Sequence, residues 1–217
     1  MICVSIGEKS WKKVLEILKD IEFAEIRLDC IEGLNVEVVN KLFSQKGKRL
    51  IATYRTGKEE IAFKRDCLMT AIKAGAEFVD LEVELDHKIR EEIACFARRK
   101  GCKIILSYHN YEYTPPLYSL LSLAKYGFST GADLFKIACK VENQKDSAVL
   151  LALLGFFGER MIVVGMGEKG KLTRLIAPLL GAPFTFASVA EGRETAKGQL
   201  PYKELKRKLE RFKKWTD

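Results

Sequence analysis

Short apolar runs alternate with longer amphipathic stretches along the whole chain. Eight runs have the length and residue types of strands covered on both faces: "ICVSI" (2–6), "FAEIRLD" (23–29), "RLIATYR" (49–55), "EFVDLEV" (77–83), "KIILSYH" (103–109), "DLFKIA" (133–138), "RMIVVGM" (160–166) and "PFTFAS" (183–188). Between them, apolar positions return at helical spacing over 10–20, 59–74, 86–100, 143–157 and 170–180. The 109–133 link is helical after Pro115-Pro116, and a last helix spans 201–214 with Pro201 in its first turn. A strand followed by a helix, eight times over, predicts an α/β chain built on a parallel sheet. A doubly wound sheet would carry G-x-G-x-x-G after its first strand, and this chain has none there. The pattern therefore predicts a single-domain (βα)8 TIM barrel over 1–217, near the short end of that fold's range.

Composition narrows the class. The chain is 47% hydrophobic and 30% charged, which suits one soluble globular domain with a substantial core. Lys+Arg 37 against Asp+Glu 29 leaves +8, which points to an anionic small molecule or to nucleic acid. Much of that excess lies in "KELKRKLERFKKW", where Leu205, Leu209 and Phe212 form the apolar stripe of an amphipathic helix. Its lysines read as a solvated face, so no nucleic-acid partner is expected. The six cysteines form no C-x-x-C pair and have no ligand-like spacing with the two histidines. They read as small buried side chains in a reducing compartment, with no metal site. No apolar run is long enough for a membrane span, and Glu8 with the nearby lysines breaks any signal-peptide pattern. A cytoplasmic location is expected.

Polar residues crowd where each strand ends. Glu25, Arg27 and Asp29 close the second run, Thr53 and Arg55 the third, and Asp80, Glu82 and Glu84 lie in and just past the fourth. Ser107 and His109 close the fifth, and the sixth holds Lys136. Residues at i and i+2 share a strand face, so each set points one way. Inward charges can form a mere ion-pair ring, but five consecutive strands of them are costly to bury without a purpose. Barrel chemistry sits at those strand ends.

Lys136, inside the apolar run "DLFKIA", is the sharpest of these signals. A buried lysine is rare unless paired, and its stem could simply reach solvent. Among arginines it suggests more. A desolvated amine sheds its proton more readily, and the neutral form attacks a carbonyl to give an imine. His109 can then move protons at the neighbouring carbon. Lysine, histidine and arginines together suggest a ketone substrate carrying a carboxylate. "GMGEKGKL" (165–172) nearly matches a phosphate loop, but Leu172 stands where the magnesium-binding hydroxyl should be. It reads instead as a mobile loop over the barrel mouth, with Arg174 at its far side. His87, after Asp86, reads as an exposed first-turn residue.

"EIRLD", "TYRTGKE", "SYH", "FKIA", "MGEKGKLTR" and "KGQ", in this order, resemble the type I 3-dehydroquinase family, from Ser5 to Gln199. The resemblance implies that Lys136 forms an imine with the substrate, that His109 gives and takes protons, and that Glu59 orients the histidine. It implies substrate contacts from Ser5, Glu25, Arg27, Arg55, Arg174, Thr195 and Gln199. The implied reaction is loss of water from 3-dehydroquinate to give 3-dehydroshikimate, in the shikimate pathway, without metal or organic cofactor. A homodimer is expected. Another imine-forming barrel lyase, an aldolase, is the rival reading. The chain departs from the family at "TAKGQ", where Lys197 replaces a proline and should loosen the empty loop. It also begins at its first strand, so the barrel floor is expected to be covered by side chains or a partner.

Overall fold

A computed structural model of the chain describes residues 1–55 and 61–213. Strands and helices alternate: β1 (Ile2–Ile6), α1 (Trp11–Leu18), β2 (Phe23–Arg27), α2 (Val36–Phe43), β3 (Arg49–Thr53), α3 (Ile61–Ala74), β4 (Phe78–Glu82) and α4 (His87–Lys100). They continue as β5 (Lys103–Asn110), α5 (Leu117–Ser129), β6 (Leu134–Lys140), α6 (Gln144–Phe157), β7 (Met161–Met166), α7 (Lys171–Ile176), β8 (Thr185–Ser188) and α8 (Tyr202–Lys213). The sheet order is β7-β6-β5-β4-β3-β2-β1-β8. Its two terminal strands, β7 and β8, touch one another. This is the (βα)8 barrel that the strand count predicts. Contacts cluster into two compact units, Ser5–Ile105 and Met1–Val4 with Leu106–Asp217.

In the first unit, β2, β3 and β4 run parallel in a register that pairs Arg27 with Thr53 and Thr53 with Asp80. Three polar residues from three strands thus stand side by side at one edge. Outside the strands, α2 packs on α3 and α3 on α4. Asn35 starts α2 by accepting from the Val38 N–H, and Asp86 starts α4 by accepting from Lys88 and Ile89. His87 is exposed in that first turn, as its position implies.

In the second unit, β6 pairs with β7 so that Lys136 lies beside Ile162 and Lys140 beside Met166. The α6 helix opens with a capping box between Asn143 and Asp146. Leu205 and Leu209 of α8 are buried against Ala187 and Leu200, with Ile2, Leu175 and Tyr202 around them. That is the amphipathic role read from its stripe.

The helix expected after the second strand is α2, only two turns long and too short for its periodicity to stand out. Three local expectations need correction. The second run ends as a strand at Arg27, and Leu28–Cys30 form a turn of 3-10 helix, so Asp29 leaves the strand face. The 170–180 stretch splits into α7 and a 3-10 turn, Ala177–Leu180, with Pro178 at the break. Pro201 precedes α8, where it bridges to Ser188.

The 165–174 segment is built tightly rather than hung as a loop. After β7 it forms a 3-10 turn, Glu168–Gly170, and runs directly into α7. A Cβ on Gly170 would sit 2.4 Å from the Gly165 carbonyl carbon, so only glycine allows this approach. The Thr173 hydroxyl stitches the turn by donating to the Gly170 carbonyl and accepting from the Gly165 N–H, each at 2.8 Å. The near-phosphate motif is therefore a backbone crossing. Its lysines are engaged locally, Lys169 with the Glu142 carbonyl and Lys171 with Glu168. Gly170→Ala is expected to cost about 1–3 kcal/mol through overpacking. Thermal unfolding should show Tm lowered by several degrees, whereas an unchanged Tm would mean that these two backbones do not meet.

Candidate active site

In the Ser5–Ile105 unit the strand ends form three charge groups. Glu25, at 5% exposure, accepts from the Ser5 hydroxyl at 2.5 Å and from the Thr53 hydroxyl at 2.9 Å. Two hydroxyl donors hold the buried carboxylate in place. Arg27 makes a two-pronged pair with Asp29, Nε to Oδ1 at 3.0 Å and Nη2 to Oδ2 at 2.6 Å. Burial disfavours its charge, but Asp29 outweighs burial and the pKa rises. Arg55 lies 2.8 Å from Asp80 and 3.4 Å from Glu82. Its pKa also rises, with burial opposed by those two carboxylates. Yet neither Nη1 nor Nη2 of Arg55 meets hydrogen-bond geometry with any described residue. Nη2 is nonetheless in close charge contact with Asp80, and Nη1, at 3.4 Å from Glu82, is the arm that keeps directional capacity.

In the other unit, Lys136 is 5% exposed at mid-β6, with Nζ 4.9 Å from the centre of the Phe186 ring. Phe186 also connects to Arg174, whose Nη1 donates to its carbonyl at 3.3 Å. Arg174 is 1% exposed, and its Nε and Nη2 have no hydrogen-bond partner among the described residues. With no anion beside it there, burial alone lowers its pKa to about 10. It remains a cation at neutral pH, poorly compensated. A guanidinium fork in this state has the geometry to pair with a carboxylate. The His109 ring stacks on Tyr111, with centroids 6.1 Å apart and planes at 14°.

The "TAKGQ" loop is also ordered by specific bonds. The amide group of Gln199 accepts from the Thr195 N–H at 2.8 Å and donates to the Thr195 hydroxyl at 3.0 Å. The Gly167 N–H donates to the Lys197 carbonyl at 3.0 Å. Gly198 has φ +82, and a Cβ there would sit 2.3 Å from the Gly167 oxygen. The β7 end and this loop are thus pressed backbone to backbone. Lys197 contributes a carbonyl, which the family's proline would also present.

The predicted residues fall into these groups. Ser5 and Glu25 meet directly, Arg27 turns to Asp29, and Arg55 faces Asp80 and Glu82. Lys136 and Arg174 share Phe186, and Thr195 binds Gln199. Glu59 lies outside the described residues. Sequence reasoning missed Lys64, which is buried on α3 and donates to Glu82 at 2.9 Å. The signal was present: Lys64, Cys67, Leu68 and Ala71 occupy i, i+3, i+4 and i+7, and all four are buried. Among the described residues no cluster of histidine, cysteine and carboxylates could hold a metal ion, and no helix is long and apolar enough to cross a membrane.

Comparisons with known proteins agree with one another. The family model for type I 3-dehydroquinase matches residues 2–214. The chain is 32% identical over 225 residues to the 3-dehydroquinate dehydratase of Coxiella burnetii, covering 98% of this chain and 94% of that protein. It is 36% identical over 209 residues to the enzyme of that name from Methanothermobacter thermautotrophicus, covering 92% and 91%. Among solved structures, it is similar to a type I 3-dehydroquinate dehydratase from Clostridium difficile with covalently modified comenic acid. There the TM-score is 0.86 at 28% identity, over 98% of this chain and 92% of that one. A 3-hexulose-6-phosphate synthase matches at TM-score 0.62 and 16% identity, which is likeness of fold alone.

The bare charge of Arg174 makes a prediction with two signs. At pH 7 it is protonated in both folded and unfolded chains, so its burial penalty applies in full; the penalty is relieved only as pH rises past about 10. Arg174→Met should therefore stabilise the empty protein at pH 7, by on the order of 3 kcal/mol. The same change should abolish stabilisation by added substrate. A lower Tm for Arg174→Met, with substrate still protective, would show that the cation is compensated and not waiting for an anion.

Proposed function

Because the chain belongs to the type I 3-dehydroquinase family, we propose that Lys136 forms the imine with substrate and that His109 moves the protons. The chain is a 3-dehydroquinate dehydratase, a hydro-lyase that converts 3-dehydroquinate to 3-dehydroshikimate in the shikimate pathway, by the Schiff-base route of its family. The Lys136 amine adds to the ketone carbon and water leaves, giving a protonated imine. That cation draws electrons from the adjacent carbon, whose proton passes to His109. The electron pair expels the hydroxyl one carbon further on, which takes a proton from His109 and departs as water. A second water hydrolyses the imine and restores the amine, so the net loss is one water. The imine is itself the electron sink, and the chemistry needs no metal or organic cofactor.

Arg174 carries this reading: it is a fully buried guanidinium, answered by no described anion, and joined through Phe186 to Lys136. A substrate carboxylate supplies the missing charge. Ser5, Glu25, Arg27, Arg55, Thr195 and Gln199 are assigned to the substrate's other oxygens, and Glu59 to orienting His109. The span 1–217 is taken as one catalytic domain with no nucleic-acid partner. Six free thiols, four of them buried, suit the cytoplasm. The Cys67 and Cys139 thiols are pushed up to about 12 by burial and are poor nucleophiles. A homodimer is proposed, and sedimentation at assay concentration reads it.

Incubation with 3-dehydroquinate should raise the ultraviolet absorbance of the conjugated enone. Lys136→Ala should abolish it. His109→Ala should lose ~10²–10⁴-fold or more in rate while accumulating a substrate adduct visible in the protein's mass. Elimination at near wild-type rate in His109→Ala would move the base elsewhere and overturn the assignment.

A further inference from the structure

Lys64 lies on the inward stripe of α3 and is 4% exposed. An ammonium in that position requires a partner. Its Nζ donates to Glu82 Oε2 at 2.9 Å, while the other oxygen of the same carboxylate lies 3.4 Å from Arg55 Nη1. Arg55 Nη2 is 2.8 Å from Asp80 Oδ2. Two cations and two carboxylates therefore balance. Their bonding is unequal: Glu82 is hydrogen-bonded to Lys64 and only leans toward Arg55. Neither terminal nitrogen of Arg55 is hydrogen-bonded among the described residues.

We propose that Lys64 is a positioning residue for the dehydration. By holding Glu82 it stops that carboxylate from closing on Arg55, and so leaves the Arg55 fork open to an oxygen of the substrate. The inference rests on the assignment of Arg55 to substrate binding. Without Lys64, the partly buried Glu82 keeps Arg55 as its one ion-pair partner among the described residues, and a two-pronged pair with Arg55 becomes its best arrangement. Substrate must then displace it. The four-charge group also becomes net negative, which repels an anionic substrate.

Steady-state kinetics with 3-dehydroquinate test this. Lys64→Met should raise KM by about tenfold or more, because a carboxylate has to be displaced before binding. Its kcat should stay within about threefold of wild type, since no group at the reacting carbon changes. Adding Glu82→Gln to Lys64→Met should bring KM back down, because the competing anion is gone. Lys64→Arg, which keeps the charge, should show little of the rise. A normal KM in Lys64→Met alongside a lowered Tm would make Lys64 merely structural and overturn the proposal, as would a KM that Glu82→Gln does not restore. If the single variant does not fold, the neutral Lys64→Met/Glu82→Gln pair still decides, because a KM as high as that of Arg55→Lys would contradict the proposal. Arg55→Lys, measured alongside, separates the two readings. A normal KM there defeats the assignment of Arg55, whereas a raised KM there with a normal one in Lys64→Met defeats only the role of Lys64.

Discussion

Placing charge where water cannot reach it is the constraint on which this protein's organisation depends. The cost of stripping water from one ion is several kcal/mol even after relaxation. Around Glu25, two hydroxyls meet that cost. Around Arg55 and Lys64, two carboxylates share it. Arg174 differs, since at 1% exposure it has one long bond to a carbonyl and a depressed pKa as the visible consequence. An uncompensated buried cation is a standing destabilisation. The proposed seating of the substrate carboxylate there would relieve it, coupling binding energy to folding energy at one side chain.

Holding such a charge needs a rigid mount, and the glycines provide it. Gly165 and Gly170 cross at a distance no Cβ would permit, and the Thr173 hydroxyl pins both backbones. Arg174 is the next residue, in the last turn of a short helix whose position follows from that crossing. The contact of Gly198 with Gly167 fixes the loop that carries Thr195 and Gln199 in the same way. The segment 165–199 therefore presents three polar side chains from a lattice of close backbone contacts.

Much of this was legible in the sequence, for a physical reason. Strands covered on both faces must be apolar throughout, so a charge inside one, such as Lys136, stands out against its neighbours. The eight strands and most helices follow from the same patterning, with strand ends displaced by at most two residues where turn geometry takes over. The turn at Leu28–Cys30 and the brevity of α2 lie below what periodicity resolves. The segment before Arg174 was expected as a loop but folds as a 3-10 turn and a helix: "GMGEKGKL" looks flexible because glycine signals freedom and close approach alike. Lys64 was missed because "FKRD" reads as a solvated helix face until the residues three, four and seven further on are counted. Pairing partners such as Asp29 for Arg27 depend on backbone direction after a strand ends, which residue order does not give.

Borohydride reduction during turnover tests the imine on Lys136 most directly. Reduction converts a transient imine into a stable secondary amine, so the substrate should stay attached through digestion. The account predicts a single modified peptide from the β6 region, with the added mass on Lys136. An adduct on Lys140 or Lys64, or full activity with no trapped species, would contradict it.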